Sequence, residues 1–410
     1  MDIWLARKFP RFNDRKRVSI NNTDPFAIVE SRGFGAAKSP FYRFTVSKQA
    51  FVLVICVLVL FVLGLCMVFN TTSAEVLDRA LPRSTHHAMM KQVLYAVLGS
   101  VAAVGIWFFG YENMLRLSGV FLIVSTVLLV CVFIPGVGQN INGAHRWLNI
   151  GGYSFQPSEF VKFFIPMYYV HAISTLSKPV SLNNFLKILG KVAIPMGLIL
   201  IEPDNGTVAI IMATLFTLFI LTKTRWIYWG LPLLLLTVTG VAVASQMPHV
   251  GTRIQIYLHP ELDLQGKGHQ PHQAKIAAGS GGVFGKGLGE SMQKLDYLPE
   301  ARSDYIAAIF AEEFGFMGMV GLIVIYMLIA YAGFSIASKA QDIEAFYLVA
   351  IFTFLICFQA FLNLGVVSGL LPSKGTNLPF FSQGGSSLLA NFIMVCVILN
   401  ISHQNKRVHA

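Results

Sequence analysis

Apolar runs long enough to cross a bilayer recur along most of this chain, separated by short polar breaks. A helix needs about 20 apolar residues to span the hydrocarbon core. By that measure spans are expected at about 50–69, 92–110, 115–134, 157–175, 185–201, 206–222, 226–246, 305–335, 344–370 and 385–402. The weakest is 185–201, which carries Lys187, Lys191 and Pro195. The pattern predicts an all-α polytopic membrane protein of about ten transmembrane helices. The longest polar break, 247–304, is expected as a large extracytoplasmic loop before the eighth helix. Residues 1–48 read as a basic cytoplasmic tail without fixed structure, 49–402 as the transmembrane domain, and 403–410 as a second cytoplasmic tail.

Composition agrees. The chain is 410 residues long, 55% hydrophobic and 12% charged, against about 25% charged in soluble domains. Its net charge of +11 is led by Arg7, Lys8, Arg11, Arg15, Lys16 and Arg17, continued by Lys38, Arg43 and Lys48. Basic residues ahead of a first span orient it and meet anionic lipid. No nucleic-acid fold signature accompanies them, so nucleic acid is not an expected partner. An even number of spans puts both termini on one side, which the basic tail marks as cytoplasmic. Arg116, Lys178, Lys223, Arg225, Lys339, Lys406 and Arg407 agree with that orientation. The first span starts too late and runs too long for a cleavable signal peptide and is expected to act as an anchor. The five cysteines lie in apolar runs and read as small buried hydrophobes, with no disulfide framework.

With that orientation the unusual polar residues gather on the outer face. Asn142, Gly143, Ala144, His145, Arg146 and Trp147 precede Gln156, Pro157, Ser158, Glu159 and Lys162. Glu159 and Lys162 share a helix face; they read either as an interfacial ion pair or, with Arg146, as cations for an anionic headgroup. Glu202, Pro203, Asp204, Asn205, Gly206 and Thr207 read as a capped hairpin turn. Two carboxylates there also suit a proton or a divalent cation such as Mg²⁺. Gly279 to Gly289 is glycine-rich and reads as an irregular surface loop or as a backbone cradle for an anion. His249, His259, His269 and His272 match no closed zinc site. The stretch from Pro299 through Glu300, Ala301, Arg302, Ser303, Asp304 and Tyr305 leads three carboxylates into an apolar run. Asp304 is expected at a helix N-terminus, at the water boundary. Asp304, Ala308 and Glu312 fall on one helix face, expected to meet a polar cavity; acidic groups at that depth are functional candidates. Leu371 to Ser387 is a hydroxyl-rich outer loop with Lys374 and Ser382, expected to line a cavity or lie covered by protein.

These motifs together resemble the SEDS family (shape, elongation, division and sporulation), which includes FtsW and RodA. The resemblance rests on GAHRWLNIGG with QPSEFVK, EPDNGT, GKGLGES, YLPEARSDYIAAIFAEEFG and LPSKGTNLPFFSQGGSS, in the family's order, and covers about 50–402. It implies a membrane glycosyltransferase that polymerises peptidoglycan from lipid II. Asp304 matches an acidic residue essential for polymerisation in the family. The last outer loop looks more like the division member, FtsW, than RodA. That implies work at the septum of a bacterial inner membrane beside a class B penicillin-binding protein, a transpeptidase, and other divisome membrane proteins. Glu202 stands where the family commonly has Gln; Ser303, Tyr305, Ala307 and Gln383 also depart from its pattern.

On this reading Asp304 is the catalytic base. Arg146, Lys162, Glu159, Asp204, Lys374 and Ser382 are substrate-binding candidates. Glu202, Glu312 and Glu313 are supporting groups, the last two too deep for a sugar hydroxyl to reach. Lipid II transport, the elongation-type polymerase and a non-catalytic scaffold are the competing readings.

Overall fold

The computed structural model describes residues 47–78, 84–141, 144–176, 179–245, 257, 259, 263, 266, 268–295, 302–372 and 375–407. The basic tail as far as Arg43, Asn142, Gly143, Lys178, His249, Pro299, Glu300, Ala301 and Lys374 lie outside them. Twelve helices are described: α1 (Lys48–Asp78), α2 (His87–Phe109), α3 (Tyr111–Arg116), α4 (Ser118–Val132), α5 (Pro157–Thr175), α6 (Leu182–Ile201), α7 (Asn205–Leu221), α8 (Trp226–Ser245), α9 (His269–Ser280), α10 (Ile306–Ser338), α11 (Ile343–Val367) and α12 (Gly385–Arg407). Each of the ten expected spans coincides with one of them. Six are long and apolar enough to cross a membrane on length and composition alone: α1, α2, α6, α10, α11 and α12. Helices α4 and α7 are shorter apolar helices.

The core sits on α5 and α11, which are apolar on nearly every face and buried by their neighbours. Phe163 and Phe352 meet there with ring centroids 4.9 Å apart. Helix α5 packs on α4, α7, α11 and α12, and α10 packs on α1 and α11. Of the cysteines, Cys56 and Cys396 are buried as expected, whereas Cys66 is exposed on α1.

A small antiparallel sheet lies between α4 and α5, in the order β1 (Gly138–Ile141), β2 (Ala144–Ile150), β3 (Tyr153–Phe155). It is an addition to the all-helical expectation. Gly151 and Gly152 turn β2 into β3, both with positive φ (58° and 85°), the backbone that a two-residue hairpin requires. The sheet carries Arg146 and Trp147 to the end of the bundle where α5 and α7 begin.

Helix α10 is broken at Gly315, whose φ is 66° and ψ −163°. The glycine-rich segment after α9 fills the break. Lys286 N–H donates to Glu312 O and Gly287 N–H to Glu313 O, each at 3.0 Å; Phe316 N–H returns to Gly282 O at 2.9 Å and Met317 N–H to Val283 O at 3.0 Å. A Cβ on Gly315 would meet Val283 O at 2.7 Å. Gly315→Ala therefore combines a positive-φ backbone that is essentially confined to glycine, about 1–3 kcal/mol, with a steric conflict. It is expected to lower the melting temperature of the detergent-solubilised protein by several degrees, read by thermal aggregation or size-exclusion recovery.

Candidate functional site

A cavity of about 500 Å³ opens at the end of the bundle where the sheet, the 202–205 turn and the 375–387 segment meet. Among its lining residues are Arg146, Glu159, Lys162, Asp204 and Asp304. Five predicted residues, from sequence positions as far apart as 146 and 304, thus face one space. The cavity is also lined by Lys91, Gln92, Arg302, Gln359, Asn377, Gln383, Ser386 and Ser387. Sequence reasoning did not single out Lys91 or Gln359. Lys91, an isolated Lys at the start of α2, and Gln359, a lone amide deep in apolar α11, were the available signals.

Each predicted residue has a local anchorage. Glu159 and Lys162 lie one turn apart near the start of α5. Lys162 Nζ donates to Glu159 Oε1 at 2.8 Å and to Gln359 Oε1 of α11 at 3.1 Å. Both partners of this ion pair are buried. Arg146 reaches from β2 to the end of α6, its Nε donating to Glu202 O at 3.0 Å and a terminal nitrogen to Pro203 O at 2.7 Å. Asp204 caps α7: Oδ1 accepts from Thr207 N–H at 3.1 Å and Oδ2 from Thr207 Oγ1 at 2.8 Å. It is a cap that also faces the cavity.

Asp304 stands just ahead of a helix N-terminus, as expected. It lies in the turn before α10, whose N-cap position is Tyr305 with no side-chain capping bond. The surrounding backbone is tied to α11 and to the 375–384 loop by one amide: Asn363 Nδ2 donates to Asp304 O at 2.8 Å and to Thr376 O at 2.6 Å. The Asp304 carboxylate lies against Gly375, where a Cβ would meet Oδ2 at 2.6 Å. Glycine there leaves the acid its room.

Three expectations are corrected. Ser382 is buried and does not line the cavity; its hydroxyl accepts from Leu378 N–H at 2.9 Å inside the loop. Glu312 does not continue a polar stripe into the cavity. It is held by Ser280 Oγ at 3.2 Å, Lys286 Nζ at 2.6 Å, Ser291 Oγ, and the N–H groups of Met292 and Gln293 at 3.3 Å. Glu313 accepts from Asn70 Nδ2 of α1 at 2.7 Å and from Lys294 Nζ at 3.1 Å. Both glutamates therefore brace the glycine-rich segment. That segment's N–H groups at Lys286 and Gly287 are spent on α10 carbonyls, so they offer no anion cradle. Among the described residues no group of three or more His, Cys, Asp or Glu comes together.

Glu202 is 0% exposed and sits behind Arg146. Neither of its carboxylate oxygens has a hydrogen-bond partner. Burial, with the Asp204 charge adding to it and Arg146 opposing, pushes its pKa up to about 8.

The fold and site define a helical membrane bundle with a polar, mixed-charge cavity at one end. The chain belongs to the FtsW/RodA/SpoVE family, whose model, described as a cell cycle protein, matches residues 50–407. It is 35% identical over 367 residues to a protein of Trichlorobacter lovleyi described as a probable peptidoglycan glycosyltransferase FtsW, covering 88% of this chain and 94% of that one. It is also 35% identical to stage V sporulation protein E of Bacillus subtilis, covering 86% and 97%. Among solved structures it resembles a chain from work on structural coordination of polymerization and crosslinking by a peptidoglycan synthase complex, with TM-score 0.71, 25% identity and coverage of 88% and 99%. It shares its fold with the rod shape determining protein RodA of Thermus thermophilus, at TM-score 0.63, 24% identity and coverage of 88% and 98%.

Two outcomes are expected from the buried charges. Lys162→Met strands the Glu159 carboxylate and should destabilise the fold by about 3–5 kcal/mol, with Glu159→Gln in the same chain restoring much of the loss in thermal unfolding. For Glu202 the native pKa is raised above the ordinary 4.5. At pH below that ordinary value both native and unfolded chains hold the proton. Between there and about 8 only the unfolded chain ionises, so native stability falls as pH rises. Glu202→Gln should match the parent near pH 4.5 and exceed its melting temperature by a gap that widens up to about pH 8.

Proposed function

We propose that this chain is a peptidoglycan glycosyltransferase that polymerises lipid II into glycan strands at the division septum. The observation that carries the reading is the cavity itself: a carboxylate, Asp304, faces the same space as Arg146, Lys162 and Lys91. Joining two lipid II units forms a bond from the C4 oxygen of the acceptor sugar to C1 of the donor. The bond from C1 to the lipid pyrophosphate breaks, and the pyrophosphate leaves with the electron pair. Asp304 accepts the hydroxyl proton. The departing negative charge develops where fixed cations already stand, which lowers the barrier without reorganisation at the moment of reaction. Arg146 is well suited, because its guanidinium is oriented by two backbone carbonyls. The isoprenoid tails stay in lipid while the headgroups reach the cavity, which accounts for a polar site at the end of a membrane bundle.

The family and the named relatives support this reading, as does the synthase complex among the structural neighbours. They also support a class B penicillin-binding protein as the partner that crosslinks the product. On this reading both termini are cytoplasmic and the cavity faces the outer side of a bacterial inner membrane, an orientation that the basic residues ahead of the first span support.

The test is glycan synthesis from purified lipid II by the full chain with its transpeptidase. Asp304→Asn is expected to reduce polymer by at least a hundredfold while leaving expression and transpeptidase binding unchanged. Undiminished polymer would sink the assignment of the base. Headgroup translocation without polymer by the parent protein would instead make it a transporter.

A further inference from the structure

The glycine-rich segment after α9 shows an apolar face to the outside of the protein. Val283 is 55% exposed, Phe284 82%, Leu288 65% and Met292 57%. Apolar side chains held in water forgo the stabilisation that burial gives. The segment has no freedom to tuck these residues inward. Its backbone is hydrogen-bonded into the α10 break, and Glu312 holds Lys286, Ser291 and the N–H groups of Met292 and Gln293. The apolar side chains are thus held out by a rigid frame.

Two helices measure where this frame stands relative to the bilayer. From Ser338 back to Phe316, α10 runs on one side of its break for about 35 Å at 1.5 Å per residue. Helix α1 covers the same length, about 35 Å, from Lys48 to Asn70. The two measurements end at one contact, the 2.7 Å hydrogen bond from Asn70 to Glu313. A hydrocarbon core is about 30 Å thick, so both helices put the Gly315 break near its outer edge. The flank of α10 that follows the break is itself exposed and apolar at Phe316, Met317, Val320 and Met327. The segment adjoins that stripe where Phe316 and Met317 N–H donate to Gly282 O and Val283 O, and its exposed Val283, Phe284, Leu288 and Met292 continue the apolar surface. Lys286, partly exposed beside them, keeps its ammonium on the buried Glu312 carboxylate.

We propose that residues 281–292 form an interfacial wedge whose Val283, Phe284, Leu288 and Met292 side chains are seated in the boundary between phospholipid headgroups and acyl chains. The occupant of this face is lipid, because the stripe it prolongs is the lipid-facing side of a spanning helix. The wedge is independent of the reaction. It would fix the height of α10, and so of Asp304 eight residues before Glu312, relative to the membrane surface.

The test uses the full chain in phosphatidylethanolamine and phosphatidylglycerol vesicles carrying lipids brominated either near the headgroup end or near the tail end of the acyl chain. Phe284→Trp and, separately, Leu288→Trp are read as emission added over the five native tryptophans. The added emission is expected to be quenched several-fold more by the shallow bromines than by the deep ones. It should also be shielded from aqueous iodide relative to Glu290→Trp on the same segment. Iodide reaching positions 284 and 288 as readily as 290 overturns the proposal. So does lipid quenching that vanishes when the class B penicillin-binding protein is reconstituted alongside, since that face would then belong to the partner.

Discussion

A helix that breaks at the edge of a bilayer leaves peptide groups that must be satisfied from within the protein. At Gly315 this constraint organises much of the structure. The broken turn takes its partners from the glycine-rich segment, and that segment stays in place because two consecutive glutamates, Glu312 and Glu313, gather its polar groups. Glu313 also reaches α1 through Asn70. One break therefore joins the first long helix, the large loop and the helix that leads back to Asp304. Carboxylates that look misplaced in an apolar run are the means by which the run is held.

The cavity has a different logic. Its charges are buried or half-buried and each is fixed by a second group: Lys162 by Glu159 and Gln359, Arg146 by two carbonyls, Asp204 by Thr207. Fixed charges of both signs let a site meet a developing negative charge and take up a proton in the same space. The cost is carried by the fold, most visibly at Glu202, which lies fully buried without a hydrogen-bond partner.

Much of this was legible in the sequence, for physical reasons. Spans announce themselves because lipid admits few charges, and all ten expected runs are helices. Arg146, Glu159, Lys162, Asp204 and Asp304 stood out as polar groups at the ends of apolar runs, and they share the cavity. Ser382 and Glu312 were misread because hydrophobic pattern gives depth along a helix but not the neighbour across it. Ser382 closes a turn, and Glu312 meets a segment some twenty residues earlier in the chain. The sheet escaped notice although Gly151 and Gly152, followed by Tyr153, are an ordinary hairpin signal. In a chain so rich in helices, a three-residue β3 has little periodicity of its own.

The amide of Asn363 gives both of its described bonds as a donor, one to Asp304 O and one to Thr376 O. An aspartate of the same shape would turn acceptors toward acceptors, so shape alone does not qualify a residue for this post. The stitch also acts as a mechanical joint. It makes the strand of chain before α10 and the loop after α11 a single stiff plate against α11, although they are far apart in sequence.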